Sequence, residues 1–182
     1  MANSKSKQKV TDKLLTSLGA LIVVFVVVVG ALAWWAYSFT TNNVRDELAA
    51  QQIFFPPKGS PALASPEIGP YLNQYAGMQL LTGPEAKAYA NHFIAVHLSE
   101  VAGGKTYAQV SSESLASPTN TVLKAQAQTL FQGETLRGLL LGDAYAFWTV
   151  GHIAQITAIV CFVAAAVMLV FVLLGLAHMS MP

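Results

Sequence analysis

Residues 14–37 read LLTSLGALIVVFVVVVGALAWWAY, a block of 24 residues without a charge. A helix of about 20 apolar residues is long enough to cross the ~30 Å hydrocarbon core of a bilayer. The alternative is a cleaved signal peptide, because residues 31–33 have the A-x-A form of a cleavage site. The apolar stretch, however, exceeds the about 7–15 residues usual in signal peptides, and Trp34, Trp35 and Tyr37 follow it as an interfacial anchor. The block therefore predicts a retained transmembrane helix.

A second uncharged block runs from Ala144 to Pro182 and is most apolar over residues 156–175. Tyr145, Phe147 and Trp148 precede that apolar part, as a second aromatic cluster on the side that faces the middle of the chain. Only 10% of all residues are charged, whereas soluble domains carry about 25%. The two blocks therefore indicate a hairpin of membrane spans.

The orientation is predicted from four lysines that precede the first block, Lys5, Lys7, Lys9 and Lys13. Basic residues beside a span mark its cytoplasmic end, so both termini should be cytoplasmic and the middle of the chain extracytoplasmic. The predicted organisation is a basic cytoplasmic N-terminus (1–13), a first transmembrane helix (14–37), an extracytoplasmic helical domain (38–143), an interfacial segment with the second transmembrane helix (144–177) and a cytoplasmic tail (178–182). The predicted location is the cell membrane, with the lipid bilayer as one partner.

The central domain is predicted to be all-α, because almost nothing in it alternates like a strand. Thr82 and Glu85 have the spacing of a capping box, and the helix that they open should end near Ala102, before two glycines. Thr106 with Gln109 repeats the box and predicts a short helix to about residue 114. Further helices are predicted over residues 42–52, 71–81 and 117–141.

The segment 54–70 holds five of the eight prolines and is predicted to be extended or turn-rich. At 17 residues it is longer than most loops of compact domains, and loops of that length are usually functional or disordered. Its apolar residues predict that it packs against another surface. We expect its first four residues to contact a partner; they are Phe54, Phe55, Pro56 and Pro57.

Small residues recur at helical spacing in both spans, and such residues let helices approach closely in lipid. In the second span they are Ala154, Ala158, Cys161 and Ala165; in the first span the corresponding positions are Gly19, Val23, Val26, Gly30 and Ala33. The favoured interpretation is that the spans pack on each other. The alternative is that Ala158, Cys161 and Ala165 contact another membrane protein.

The candidate chemical residues are His92, His97, Glu100 and His152. On a regular helix of 100° per residue, His97 falls on the face of Ala86, Ala90, Phe93 and Val101, whereas His92 points away beside Glu85. The two histidines are five residues apart, and a two-histidine metal site needs a spacing of three or four. We therefore expect His97 to be a buried residue bonded to a carboxylate or a carbonyl, with Glu100 as one possible partner. His152 lies near the outer end of the second span.

Several classes of function are disfavoured. The net charge of +1 and the absence of a basic stripe argue against a nucleic-acid partner. A single cysteine, Cys161, excludes intramolecular disulfides and thiolate metal clusters. The sequence contains no nucleophile elbow, phosphate-binding loop or haem-attachment motif, and it predicts no cofactor.

Three stretches carry a resemblance to known proteins: FPPKGSPAL at 55–63, KAYANHFIAVH at 87–97 and LFQGETLRGL at 130–139. They resemble a family of uncharacterised actinobacterial membrane proteins with two predicted spans, and the likeness covers most of the chain. Some members carry the label of aromatic ring-opening dioxygenase. That label would imply two histidines and a carboxylate converging on iron, whereas His92 and His97 are predicted to diverge.

The sequence thus favours a non-catalytic accessory or interaction protein of the cell envelope. It would associate with other membrane protein subunits, such as those of a respiratory complex, or with itself. The alternative is a membrane-tethered enzyme or a metal or redox protein that uses His97 and Glu100.

Overall fold

The computed structural model describes the backbone of residues 2–180 and the side chains of residues 10–180. Lys5, Lys7 and Lys9 of the predicted basic N-terminus therefore lie outside the described side chains. Met181 and Pro182 of the predicted tail lie outside the described residues altogether.

The described chain is 83% helical and contains no strand, so the all-α prediction is confirmed. The α-helices are α1 (Ala2–Gln51), α2 (Gly69–Leu72), α3 (Gly83–Ala88), α4 (Ala95–Ala102), α5 (Tyr107–Ala116), α6 (Thr121–Leu139) and α7 (Ala146–Ser180). Two π-helical turns, Tyr89–Ile94 and Leu140–Tyr145, join α3 to α4 and α6 to α7. Short 3₁₀ turns form at Pro61–Leu63 and Asn73–Tyr75.

Two helical stretches, Val10–Gln51 and Thr121–Ser180, are long and apolar enough to cross a membrane. Their most apolar windows have a mean hydropathy of 2.7 and 3.1. Only 6% and 11% of these windows are buried within the chain, whereas the core helix of a soluble protein would be mostly buried. The structure is therefore compatible with the two predicted spans.

The chain divides into two compact units. The first contains the residues up to Phe39 and those from Gly151 onward; the second contains Thr40–Val150. The first unit is a pair of long helices, and the second holds the shorter helices between them in sequence.

Within the helix pair, glycines of one helix lie against side chains of the other. A Cβ atom on Gly30 would lie 3.1 Å from Cβ of Cys161, and one on Gly19 would lie 3.0 Å from Val172. Ala158 and Ala165 are buried, at 0% and 4% exposure. The predicted packing of the two helices on each other is confirmed at Gly19 and Gly30.

The core of the second unit is built around the proline-rich segment. Phe55, Leu63 and Ile68 of that segment are buried together with Val44 and Leu48 from the end of α1. The helix predicted over 42–52 is the end of α1 and stops one residue earlier, at Gln51. The prediction that the proline-rich segment packs against another surface is confirmed.

The capping boxes are also confirmed. The Thr82 hydroxyl accepts a hydrogen bond from the Glu85 amide, and the Glu85 carboxylate accepts one from the Thr82 amide. Thr106 and Gln109 form the same reciprocal pair at the start of α5. The helix opened by Thr82 ends as expected at Gly103, whose φ of 59° is left-handed.

Two helix predictions are wrong in their bounds. The helix predicted over 71–81 is only α2 and one 3₁₀ turn, because Gly77 takes a φ of 75° and the chain then extends to an isolated bridge between Phe54 and Gln79. Helix α6 begins at Thr121 rather than at residue 117. The reason is that the Asn120 side chain caps the helix by accepting hydrogen bonds from the amides of Val122 and Leu123.

The face predicted for the helix from residue 83 to 102 is wrong beyond Ala90. The buried residues are spaced by four throughout: Ala86, Ala90, Ile94, Leu98 and Ala102. The π-helical turn adds a residue to one turn of the helix, so the positions that follow are displaced by one from a regular 100° pattern. Phe93 and His97 consequently flank the buried face instead of lying on it, and Val101 is exposed.

Candidate functional site

His97 is held by the main chain of its own helix. Its Nδ1 lies 2.7 Å from the carbonyl oxygen of Phe93, and its ring lies 4.4 Å from the Phe93 ring. Because a carbonyl can only accept, Nδ1 carries the proton and donates it. Glu100 is exposed, and in the described part of the chain no hydrogen bond joins it to His97. The bond to a carbonyl is one of the two partners expected from the sequence, but His97 is half-buried rather than buried.

His92 lies in a different place, on a cleft of about 450 Å³. Its ring is stacked on the ring of Tyr71, with centroids 3.6 Å apart and an interplanar angle of 7°. The cleft is lined further by Lys87, Asn91 and Tyr145. His92 therefore points away from His97, as predicted, but its neighbour is an aromatic ring rather than Glu85. Glu85 is buried in its capping box, where it accepts hydrogen bonds from the amides of residues 81 and 82.

The Lys87 ammonium interacts with Tyr145 across this cleft. Its Nζ lies 3.1 Å from the phenolic oxygen and 4.5 Å from the ring centroid. The hydrogen bond and the positive charge of Lys87 lower the pKa of Tyr145 below its ordinary value of 10.0. The pKa of Tyr89, two residues after Lys87, shifts in the opposite direction, because burial raises it.

Arg137 of α6 supplies a second cation near Asn91. Its guanidinium donates to the side-chain oxygen of Asn91 at 3.3 Å and to the Glu134 carboxylate at 3.3 Å. Lys87 and Arg137 were not singled out from the sequence, and Tyr145 was noted there only as part of an aromatic cluster, because their polar partners Tyr145, Asn91 and Lys87 are 46 or 58 residues away. Lys87 and Arg137 therefore each have polar partners within the domain.

His152 belongs to the helix pair, whereas His92 and His97 belong to the second unit. Its Nδ1 lies 3.1 Å from the side-chain oxygen of Gln155, and its ring lies 5.6 Å from that of Tyr37. Within the described residues, no three metal-ligating side chains lie close enough to hold an ion. The alternative function of a metal or redox protein stays a prediction.

A larger groove of about 530 Å³ lies between the end of α1 and the start of α7. One wall is the last two turns of α1, and the other is the second π-helical turn with the first turns of α7. The groove is lined by Asn43, Val44, Glu47, Leu48, Gln51, Leu139, Leu140, Gly142, Asp143, Ala144, Ala146, Phe147 and Val150. Its volume falls within the ~300–1,000 Å³ typical of ligand-binding pockets.

The groove combines an apolar surface with acidic groups. Leu139, Phe147 and Val150 are substantially exposed there, at 53%, 36% and 55%. Glu47 and Asp143 are the charged residues of the lining, which includes no Lys or Arg. In the described part of the chain the salt bridges lie elsewhere, between Lys105 and Glu113 and between Arg137 and Glu134. Neither carboxylate of the groove is therefore neutralised by an ion pair among residues 10–180.

Of the four residues of the proline-rich segment predicted to contact a partner, two are exposed and two are wholly or partly buried. Phe54 is 56% exposed and Pro57 is exposed, so both can meet a partner. Phe55 is 2% exposed and packs against the rings of Tyr75 and Tyr89. Its role is to anchor the segment to the core, and Pro56 beside it is half-buried.

No protein family, curated protein or solved structure matches this chain. The resemblance to actinobacterial two-span proteins stays a prediction.

Proposed function

We propose that this protein is a non-catalytic accessory subunit that docks onto a larger membrane complex in the cell envelope. The observation that carries the proposal is the groove between α1 and the second π-helical turn, where large apolar side chains are exposed beside the carboxylates of Glu47 and Asp143. Exposed apolar surface in a concave site is typical of surfaces that bind another molecule. The histidines support the proposal indirectly, because His97 is hydrogen-bonded to a main-chain carbonyl and His92 is stacked on an aromatic ring.

The proposed arrangement places both long helices across the bilayer. Uncharged windows that expose most of their apolar side chains need a lipid or protein environment to cover them. The four lysines before the first window favour a cytoplasmic N-terminus, so the domain between the spans would be extracytoplasmic.

The orientation can be tested by thiol labelling of intact cells. Cys161→Ala removes the native thiol, after which Lys105→Cys reports on the domain and Ser4→Cys on the N-terminus. We expect a membrane-impermeant maleimide to label residue 105 in intact cells and residue 4 only after lysis. The opposite pattern would reverse the proposed orientation.

The function itself is tested by purifying the tagged full-length protein from its native membranes in a mild detergent. We expect a stoichiometric companion membrane protein to remain bound through size-exclusion chromatography. Recovery of the protein as a solitary monomer from several mild detergents would contradict the proposal. Activity towards a substrate, with or without bound metal, would favour the enzymatic alternative instead.

A further inference from the structure

We propose that the groove between α1 and the second π-helical turn binds an amphipathic helix of the partner, with apolar residues on one face and Lys or Arg beside them. The inference rests on the proposed function, because it names the surface and the partner chemistry of that docking.

The shape favours a helix. Two helical walls bound the groove, and its floor is formed by the buried side chains Val44, Leu48, Leu140 and Ala144. An apolar channel between helices accepts a third helix that presents side chains at spacings of three and four. The π-helical turn contributes by placing Gly142 in the wall, where a Cβ atom would meet nothing within 4 Å. The wall is therefore open at that position.

The charge favours a basic partner. Asn43, Glu47 and Gln51 recur every four residues along α1 and form a polar ridge on one wall. Asp143 lies on the other wall, so a carboxylate is present on each side. A lining with two acidic residues and no basic one is electrostatically complementary to Lys or Arg.

The cost of desolvation decides between a basic and a purely apolar occupant. A partner that covered the apolar floor would also remove Glu47 and Asp143 from water. Burying a carboxylate without a counter-charge is strongly unfavourable, whereas a paired and hydrogen-bonded carboxylate is tolerated. The occupant must therefore bring cationic groups to the two walls. A lipid chain or an uncharged hydrophobic helix would leave both charges uncompensated.

The test places a photo-crosslinking benzoylphenylalanine in the groove of the full-length protein, in native membranes. Gly142 is the first position, and Phe147 is the second, because an aromatic ring already occupies it. Gly138 is the matched control: it also lies in a helix with open space at its Cβ position, but it is not part of the groove lining. We expect adducts from positions 142 and 147, and none from 138, to a polypeptide segment that is helical, apolar on one face and basic.

The charge dependence is tested with Glu47→Gln combined with Asp143→Asn. We expect the adduct yield at position 147 to fall by about thirtyfold or more, as for buried pairs that lose one partner. Asp46→Asn is the control, because Asp46 is exposed on the same helix but outside the groove. It should leave the yield unchanged.

Several outcomes overturn the inference. They are an adduct with lipid, with a second copy of this chain or with an acidic segment, and a yield that the neutral variants do not change. If a stoichiometric companion co-purifies with the unmodified protein but no groove position crosslinks to it, the groove inference fails and the proposed function stands. If no companion is found, both fail.

Discussion

A Cβ atom on Gly83 would lie 2.4 Å from the Cβ of Trp148 and 2.6 Å from its Cγ. Gly83 is the first residue of α3, and Trp148 lies in the first turn of α7, so the absence of a side chain allows these two helices to meet. The Trp148 ring packs against the core of the domain. One residue of the predicted interfacial aromatic cluster therefore holds α7 to the domain.

The first prediction follows from this contact. Gly83→Ala should lower the free energy of unfolding of the domain by about 1–3 kcal/mol, because the added methyl group must displace Trp148 or the start of α3. Thermal unfolding, followed by the fluorescence of the tryptophans, measures the effect. Gly138→Ala is the matched control in an open helical position, and it should raise stability by up to about 1 kcal/mol. Equal stability of the two variants would show that the contact is unimportant.

The second prediction concerns the helix pair. Gly30→Leu should separate α1 from α7, since even a Cβ atom there would lie 2.9 Å from the Phe162 ring and 3.1 Å from Cys161. Cys161 is the single cysteine of the chain and is half-buried, so its rate of reaction with a membrane-permeant maleimide reports on the separation. We expect faster labelling in Gly30→Leu and an unchanged rate in Ala31→Leu, where the neighbouring residue is exposed.

The third prediction compares the two capping boxes. Glu85 is buried and accepts hydrogen bonds from two amides, at 2.8 and 2.9 Å, whereas Gln109 is exposed at the start of α5. Glu85→Ala should cost about 1–3 kcal/mol of stability, because it leaves two partly buried amides without a partner. Gln109→Ala should cost less, since water can replace the lost bond. Chemical denaturation of both variants measures the difference, and a larger loss for Gln109→Ala would contradict the interpretation.

The fourth prediction concerns tyrosine ionisation. The pKa of Tyr145 should lie below 10.0 because of Lys87, and the pKa of Tyr89 should lie above it because of burial. Titration of ¹³C-labelled tyrosines by NMR should show Tyr145 ionising first. Lys87→Met should return the pKa of Tyr145 towards 10.0 and leave that of Tyr89 unchanged.

The signs of the accompanying changes in stability are opposite. The folded-state pKa of Tyr145 is below that of the unfolded chain, so its ionisation adds stability as the pH rises through the folded pKa towards 10.0. That contribution is fully present above 10.0 and is lost as the pH falls back through the folded pKa. Tyr89 has a raised folded-state pKa, so stability falls as the pH rises from 10.0 through that value.

The sequence by itself determined the class of the fold and the beginnings of several helices. Uncharged apolar blocks and capping boxes act over a few neighbouring residues, and their physical effect is contained in the local sequence. The packing of the two long helices could also be predicted from their small residues, because close helix packing requires such residues at spacings of three and four. Cys161 and Gly30 illustrate this, since they meet as their spacing predicts.

Tertiary structure alone decided which faces those helices present and which distant residues line one groove. The π-helical turn at Tyr89–Ile94 displaces the buried face by one residue, and no local pattern announces that extra residue. The groove joins Glu47 to Asp143, and the polar cleft joins Lys87 to Tyr145, across long stretches of chain. Such pairs form because packing of the core brings distant helices together, and their chemistry exists only once that core has formed.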